Sequence, residues 1–224
     1  MLMTIPDLLN QQSLTEIRQL LDGAEFTDGK LSAGRDAQRV KNNEELKTDA
    51  PQMRRLNELT LGALYQHPTF QAAAMPLKMS AAFFARYQPG QTYGQHVDDA
   101  VMGPQGGQYR TDVSSTIFLS SPDEYDGGEL IIETETGEQT FKLPAGHAVF
   151  YPSGSLHRVA EVTAGERLVA VSWTQSMVRD PQQRALLYDL YIVKESLLNI
   201  NPDAEASARA NRAYINLFRQ WAEL

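Results

Sequence analysis

Glu129-Leu130-Ile131-Ile132-Glu133-Thr134-Glu135-Thr136-Gly137-Glu138-Gln139-Thr140-Phe141-Lys142-Leu143 decides how this chain is read. β-Branched and apolar residues flank Thr136-Gly137, and a glycine there supplies the positive φ of a tight turn. The stretch therefore predicts strands at 129–134 and 138–143 joined as a hairpin. Outward from it, runs of the same texture occur at 78–87, 93–97, 111–119, 147–151, 156–162 and 166–175, with Gly and Pro between them. About eight short strands at this spacing suggest a sandwich or barrel, and a double-sheet jelly roll is the natural eight-strand solution.

The flanks read as helix. Ser13-Leu14-Thr15-Glu16 fits a capping box, after which Leu14, Ile17, Leu20 and Leu21 share one face until Gly23. Residues 24–48 are polar and Gly-punctuated and read as loop with room for a strand. Asp49 and Pro51 start a second helix, with Leu56, Leu59 and Ala63 inside, ending before Pro68. Asp180-Pro181 starts a third, with Leu186, Leu187, Leu190, Leu197 and Leu198 inside; Asn201-Pro202 breaks it and a last helix runs to about residue 222. The expected class is mainly β with helices. A double-stranded β-helix (jelly-roll) core at 77–178 stands between N-terminal helical and loop support at 1–76 and a C-terminal helical extension at 179–224.

Composition narrows the function. The chain has 224 residues, 42% apolar and 21% charged, with a net charge of -8 and no basic stripe, which argues against a nucleic-acid partner. The absence of cysteine removes disulfides, thiol nucleophiles and thiolate metal sites, and suits a reducing cytoplasm. The N-terminus has no positive region ahead of an apolar run, so no signal peptide is expected, and no stretch is apolar enough for a membrane span. The apolar tail suggests self-association into a homo-oligomer.

The chemistry lies in the histidines, of which there are four: 67, 96, 147 and 157. In a strand, residues i and i+2 point to one face, so His96 and Asp98 can converge on one ion while Val97 turns away, with Asp99 alongside it. His157 follows the turn Pro152-Ser153-Gly154-Ser155 and opens another strand. Two imidazoles and one carboxylate with open positions typify non-haem Fe(II) oxygenases. Such an enzyme also needs an anchor for the far carboxylate of 2-oxoglutarate, and a buried Arg supplies it with a bidentate fork. Arg167 lies ten residues after His157; with Glu161 paired to Arg167 across the turn at 163–166, it shares a face with His157.

The stretch from Ala82 to Trp173 resembles the prolyl/lysyl-hydroxylase branch of the Fe(II)/2-oxoglutarate dioxygenases. The matching pieces are Arg86-Tyr87-Gln88-Pro89-Gly90, Tyr93-Gly94-Gln95-His96-Val97-Asp98, Asp126-Gly127-Gly128-Glu129-Leu130, His157-Arg158-Val159, and Arg167 leading to Trp173. With Arg110-Thr111-Asp112-Val113-Ser114 and the helical tail, the wider chain resembles the bacterial PKHD-type hydroxylases associated with iron uptake. The resemblance implies a hydroxylase with iron on His96, Asp98 and His157, 2-oxoglutarate on Arg167 with help from Tyr87, and L-ascorbate (vitamin C) as reductant. It also implies release of succinate and CO2. Phe118 stands where some prolyl hydroxylases have a second tyrosine.

Other readings of the same residues are a Zn-dependent hydrolase on the same triad, which leaves Arg167 without a role, and a non-catalytic β-sandwich binding module. His147 reads as a surface or hydrogen-bonding histidine, His67 as a helix-end residue, and the cluster Asp123-Glu124-Tyr125-Asp126 as a solvated acidic turn. Residues 99–110, with Gly103-Pro104-Gln105-Gly106-Gly107, read as a flexible lid over the substrate. Nothing in the sequence separates a peptidyl residue, a free amino acid and a siderophore-like molecule as that substrate.

Overall fold

A computed structural model describes residues 1–224. In chain order it carries β1 (Met3–Ile5), α1 (Gln11–Leu21), β2 (Phe26–Asp28), β3 (Lys41–Asn42), β4 (Glu44–Leu46), α2 (Met53–Gln66), α3 (Pro68–Ala74), β5 (Pro76–Met79) and β6 (Phe83–Tyr87). Next come β7 (Thr92–His96), β8 (Val101–Met102), β9 (Tyr109–Arg110), β10 (Val113–Phe118), β11 (Tyr125–Gly127), β12 (Leu130–Thr134) and β13 (Gly137–Phe141). The chain ends with β14 (Ala148–Pro152), β15 (His157–Val159), β16 (Val162–Gly165), β17 (Arg167–Ser176), α4 (Pro181–Ile200) and α5 (Glu205–Trp221).

Every expected run carries strand, and the fold is a jelly roll. The major sheet runs β1-β14-β10-β17-β6-β4-β2, with β5 also on β17; the minor sheet runs β13-β12-β15-β7-β3, and all pairings are antiparallel. The hairpin pairs Thr134 with Gly137, so Glu135-Thr136 is the two-residue turn and Gly137, at φ +112, follows it.

Strand alternation sorts the side chains into two cores. Inward residues such as Ala85, Tyr87, Phe118, Ile132, Val159 and Val169 fill the space between the sheets. Their outward neighbours Phe84, Ile117, Leu168 and Ala170 join Leu14, Ile17, Leu56, Leu64 and Phe70 of the N-terminal helices. The major sheet is therefore covered on both faces, which is why all of β10 is buried. A third cluster, Met75, Val178 and Leu187 with Tyr214, Phe218 and Trp221, seats the tail. No helix is long and apolar enough to cross a membrane.

Several local expectations differ from the structure. Helix α1 begins at Gln11 because Asn10 Oδ1 accepts from the Ser13 N–H at 2.8 Å, so Asn10, not Ser13, is the cap. In α2 the deepest residues are Leu56, Thr60 and Leu64, with Leu59 and Ala63 on its flank. Pro68 stops α2 as expected but also opens α3, since proline suits the first helical turn. Helix α4 is capped by Asp180, yet Leu186 is 59% exposed and the buried positions are Arg184, Leu187 and Lys194. Residues 24–48 hold three short strands, β2, β3 and β4; segments of two or three residues become strand there because β3 pairs with β7, β4 with β6, and β2 adds onto β4.

Candidate functional site

Strands β7 and β15 are paired so that His96 lies opposite His157, and their rings sit 4.2 Å apart between centroids. Asp98 follows two residues after His96 and completes the group. Its Oδ1 is 3.9 Å from His96 Nε2 and 3.8 Å from His157 Nε2. One ligand atom from each residue lies within 4.8 Å of the others, and no other such cluster occurs in the chain. Strand β7 ends at His96, so Asp98 is carried by the loop that follows, and Val97, 47% exposed, lies at the edge of the cavity.

Each imidazole is held by its far nitrogen. His96 Nδ1 is 2.8 Å from the Gly94 carbonyl and His157 Nδ1 is 3.0 Å from the Ser155 carbonyl. Those carbonyls fix the tautomer with hydrogen on Nδ1 and leave both Nε2 lone pairs aimed at the shared point. Ser114 Oγ donates to Asp98 Oδ2, and the Ser114 and Ser153 hydroxyls are 2.8 Å apart. Burial, then the neighbouring His157, pushes His96 down to about 4, so it is neutral near pH 7. Two imidazoles and one carboxylate on one side of a point fit the donor set of a non-haem Fe(II) centre. Tyr93 stacks on His96 at 3.6 Å with a 13° tilt, limiting the ring's rotation.

The same cavity reaches Arg167, on the opposite sheet. Arg167 is 1% exposed, and its Nε and Nη1 have no hydrogen-bond partner. Its guanidinium lies 5.0 Å from the centre of the Tyr87 ring and 5.7 Å from that of Phe118. No acidic side chain pairs with it. A buried cation with free donors is costly unless a ligand answers it, and a carboxylate matches the fork. The route that places it differs from the expected hairpin. Strand β16 leaves to pair with β11, as Asp126 with Ala164, while Arg167 pairs with Tyr87 of β6. Glu161 and Arg167 are therefore not partners, and it is the β6 register that turns Arg167 inward. Tyr87 is buried beside it, and desolvation pushes its phenol up to about 12.

His147, Nε2 3.4 Å from Asp7 Oδ1, and His67, which precedes Pro68 of α3, line no part of the cavity. Glu124 of the acidic turn is paired with Arg18. Residues 101–110 form the β8–β9 hairpin, whose Met102 reaches the cavity. The cavity wall also includes Lys41, Asn43 and Glu45, which the sequence did not flag. Their only signal was an unusual density of polar residues in a segment otherwise read as loop.

A family model described as the 2OG-Fe(II) oxygenase superfamily matches residues 82–175. A PKHD-type hydroxylase from Thioalkalivibrio sulfidiphilus is 61% identical over 224 residues, covering 100% of both chains. One from Stenotrophomonas maltophilia is 47% identical over 225 residues, again with 100% of both covered. Among solved structures, a Pseudomonas putida prolyl-4-hydroxylase aligns with a TM-score of 0.52 at 20% identity, covering 78% of this chain and 92% of the other. A prolyl hydroxylase from Trichoplax adhaerens, in complex with a peptide fragment of the hypoxia inducible factor, aligns at 0.56 and 16%, covering 83% and 86%. HygX from Streptomyces hygroscopicus, with nickel and 2-oxoglutarate bound, aligns at 0.53 and 13%, covering 79% and 84%. At these identities the likeness is one of fold.

Proposed function

The chain belongs to the PKHD-type hydroxylases of the 2OG-Fe(II) oxygenase superfamily, and from that premise we propose that His96, Asp98 and His157 hold its iron and that Arg167, beside Tyr87, anchors its 2-oxoglutarate. The observation that carries the assignment is that one cavity contains both a two-histidine, one-carboxylate cluster and a buried, unpaired guanidinium. Membership of an oxygenase family removes the Zn hydrolase and the binding-module readings.

When bound, iron and 2-oxoglutarate supply the oxidation, in which oxygen is consumed, succinate and CO2 leave, and a hydroxyl is placed on the substrate. The chain supplies position and surroundings. The Gly94 and Ser155 carbonyls keep both imidazoles in the ligating tautomer, and Ser114 fixes which carboxylate oxygen of Asp98 faces the metal. Arg167 offers two N–H donors to a far carboxylate, and Tyr87, held protonated by burial, keeps a hydroxyl that can donate. The apolar walls of the sandwich, including Leu130, Val159 and Val169, exclude water from the reacting centre.

L-Ascorbate is taken as the reductant that restores the iron, on the resemblance to prolyl hydroxylases. The substrate is taken to be a peptidyl or free amino acid or a siderophore-like molecule, with the resemblance adding a link to iron uptake and the lack of cysteine a cytoplasmic location. The lid role of 99–110, the division at 1–76, 77–178 and 179–224, and homo-oligomerisation through the tail belong to the same proposal. Light scattering on the eluting protein tests the last; a monomer alone would remove it.

The assignment is tested by mixing anaerobic protein with Fe(II) and 2-oxoglutarate and recording the metal-to-ligand charge-transfer band, then admitting oxygen and measuring succinate. Both signals are expected. Arg167→Ala should weaken 2-oxoglutarate binding while iron stays bound, and unchanged affinity would refute the role given to Arg167.

A further inference from the structure

The chain crosses from the minor to the major sheet within three residues. Strand β3 ends at Asn42, β4 begins at Glu44, and Asn43 occupies the crossing. Strand β4 pairs with β6 as Glu45 with Ala85 and Glu44 with Arg86. Continued by one residue, that register sets Asn43 opposite Tyr87, which is itself opposite Arg167. Opposed residues of antiparallel strands share a face, and neighbouring strands lie about 4.8 Å apart. Asn43, Tyr87 and Arg167 thus form a row across three strands, and all three line the cavity that contains the His96, Asp98 and His157 cluster.

Asn43 is 3% exposed, and apart from the neighbouring Tyr87 hydroxyl neither Nδ2 nor Oδ1 has a hydrogen-bond partner. Buried amides are ordinarily satisfied, so one left unsatisfied in the wall of a cavity points to a ligand. Gly29 makes room for it. A Cβ on Gly29 would lie 2.0 Å from Asn43 Oδ1, and the Gly29 N–H donates to the Asn43 carbonyl at 2.9 Å. With the oxygen turned against Gly29, Nδ2 is the atom left to serve the cavity.

The charges nearby say what kind of ligand. Lys41 is neutralised by its ion pair with Glu45, whereas Arg167 is in no ion pair. The row therefore offers donors only, the free guanidinium N–H groups, the Tyr87 hydroxyl and Asn43 Nδ2, with one uncompensated positive charge. That pattern matches a single carboxylate group. We propose that Asn43 is a third contact to the far carboxylate of 2-oxoglutarate, beside Arg167 and Tyr87. The inference rests on the reading of Arg167 as that carboxylate's anchor.

The test uses full-length protein loaded with Ni(II), which holds the co-substrate without turnover, and calorimetric titration with two probes. One is 2-oxoglutarate; the other is 2-oxovalerate, of equal length but without the far carboxylate. Asn43→Ala is expected to weaken 2-oxoglutarate about tenfold, the loss of one hydrogen bond to a charged group, and to leave 2-oxovalerate unchanged. Asn43→Asp, of nearly the same shape, should weaken 2-oxoglutarate further, because it sets a second carboxylate against the first. Melting curves establish that each variant is folded, and Asn43→Ser, which keeps a donor, replaces Asn43→Ala if the latter is not. Equal weakening of both probes, or no weakening of 2-oxoglutarate, overturns the proposal. Arg167→Ala, run alongside, separates the two readings. If it too leaves 2-oxoglutarate unaffected, the anchor reading has failed; if it weakens 2-oxoglutarate while the Asn43 variants do not, only the Asn43 assignment falls.

Discussion

His96 shows what burial does to one side chain and predicts a pH dependence. Its imidazole is pushed down to about 4 by desolvation and by His157, whereas an unfolded histidine titrates at about 6.5. Between those values the unfolded chain binds a proton that the folded chain refuses, so metal-free protein loses stability as pH falls through that window. Below about 4 both states carry the proton and the loss levels off. Thermal unfolding of chelator-treated protein across the window should show the decline, and His96→Gln should flatten it; an identical slope in the variant would contradict the account. This histidine was legible because i and i+2 share a strand face and histidine is rare in the chain. Ser114 and Asn43 were not, since what marks them is contact across a fold of the chain, Ser114 with Asp98 and Asn43 with Gly29.

At the scale of elements, Asp126-Gly127-Gly128 shows why a short motif can matter without touching the metal. Strand β11 shifts register between Asp126 and Gly127, and Gly128 has φ +67. A Cβ there would approach Val162 Cγ2 at 2.9 Å, Tyr125 Cε2 at 3.0 Å and Arg167 Cδ at 3.1 Å. Gly128→Ala should therefore cost about 1–2 kcal/mol in backbone strain and also displace Arg167, weakening 2-oxoglutarate while sparing iron. Urea unfolding and a 2-oxoglutarate titration read the two effects, and a purely energetic loss would show that Arg167 adjusts. A second element is tested more simply. Asn10→Ala should cost about 1 kcal/mol as the loss of a true cap, and Ser13→Ala much less; the reverse order would restore the capping box at Ser13. The long alternating runs were readable because their pattern repeats over several residues with one face buried. Strands β3 and β4 were not, for two or three residues are too few to carry a period. Helix α3 was missed because Pro68 was read only as a stop.

Across the whole molecule, the jelly roll was visible in the spacing of runs and turns, but how the helices attach to it was not. The tail is joined at several points. Arg184 donates to the Val178 and Arg179 carbonyls at 2.8 and 2.7 Å, the Glu223 N–H donates to the Met177 carbonyl at 2.7 Å, and Arg110 reaches Glu223. Leu187 is fully buried between Met75 and Val178, which belong to the body, and the aromatic side chains of α5. Those shared residues predict that tail and body unfold together. Leu187→Ala empties a well-packed site and should cost about 2–5 kcal/mol. Because Leu187 lines no part of the cavity, 2-oxoglutarate affinity should be unchanged where the variant is folded. Calorimetry is expected to show one transition moved to lower temperature. If it splits in two, with the upper transition at its original place, residues 179–224 fold as a separate unit and these joints do not couple them to the sheets.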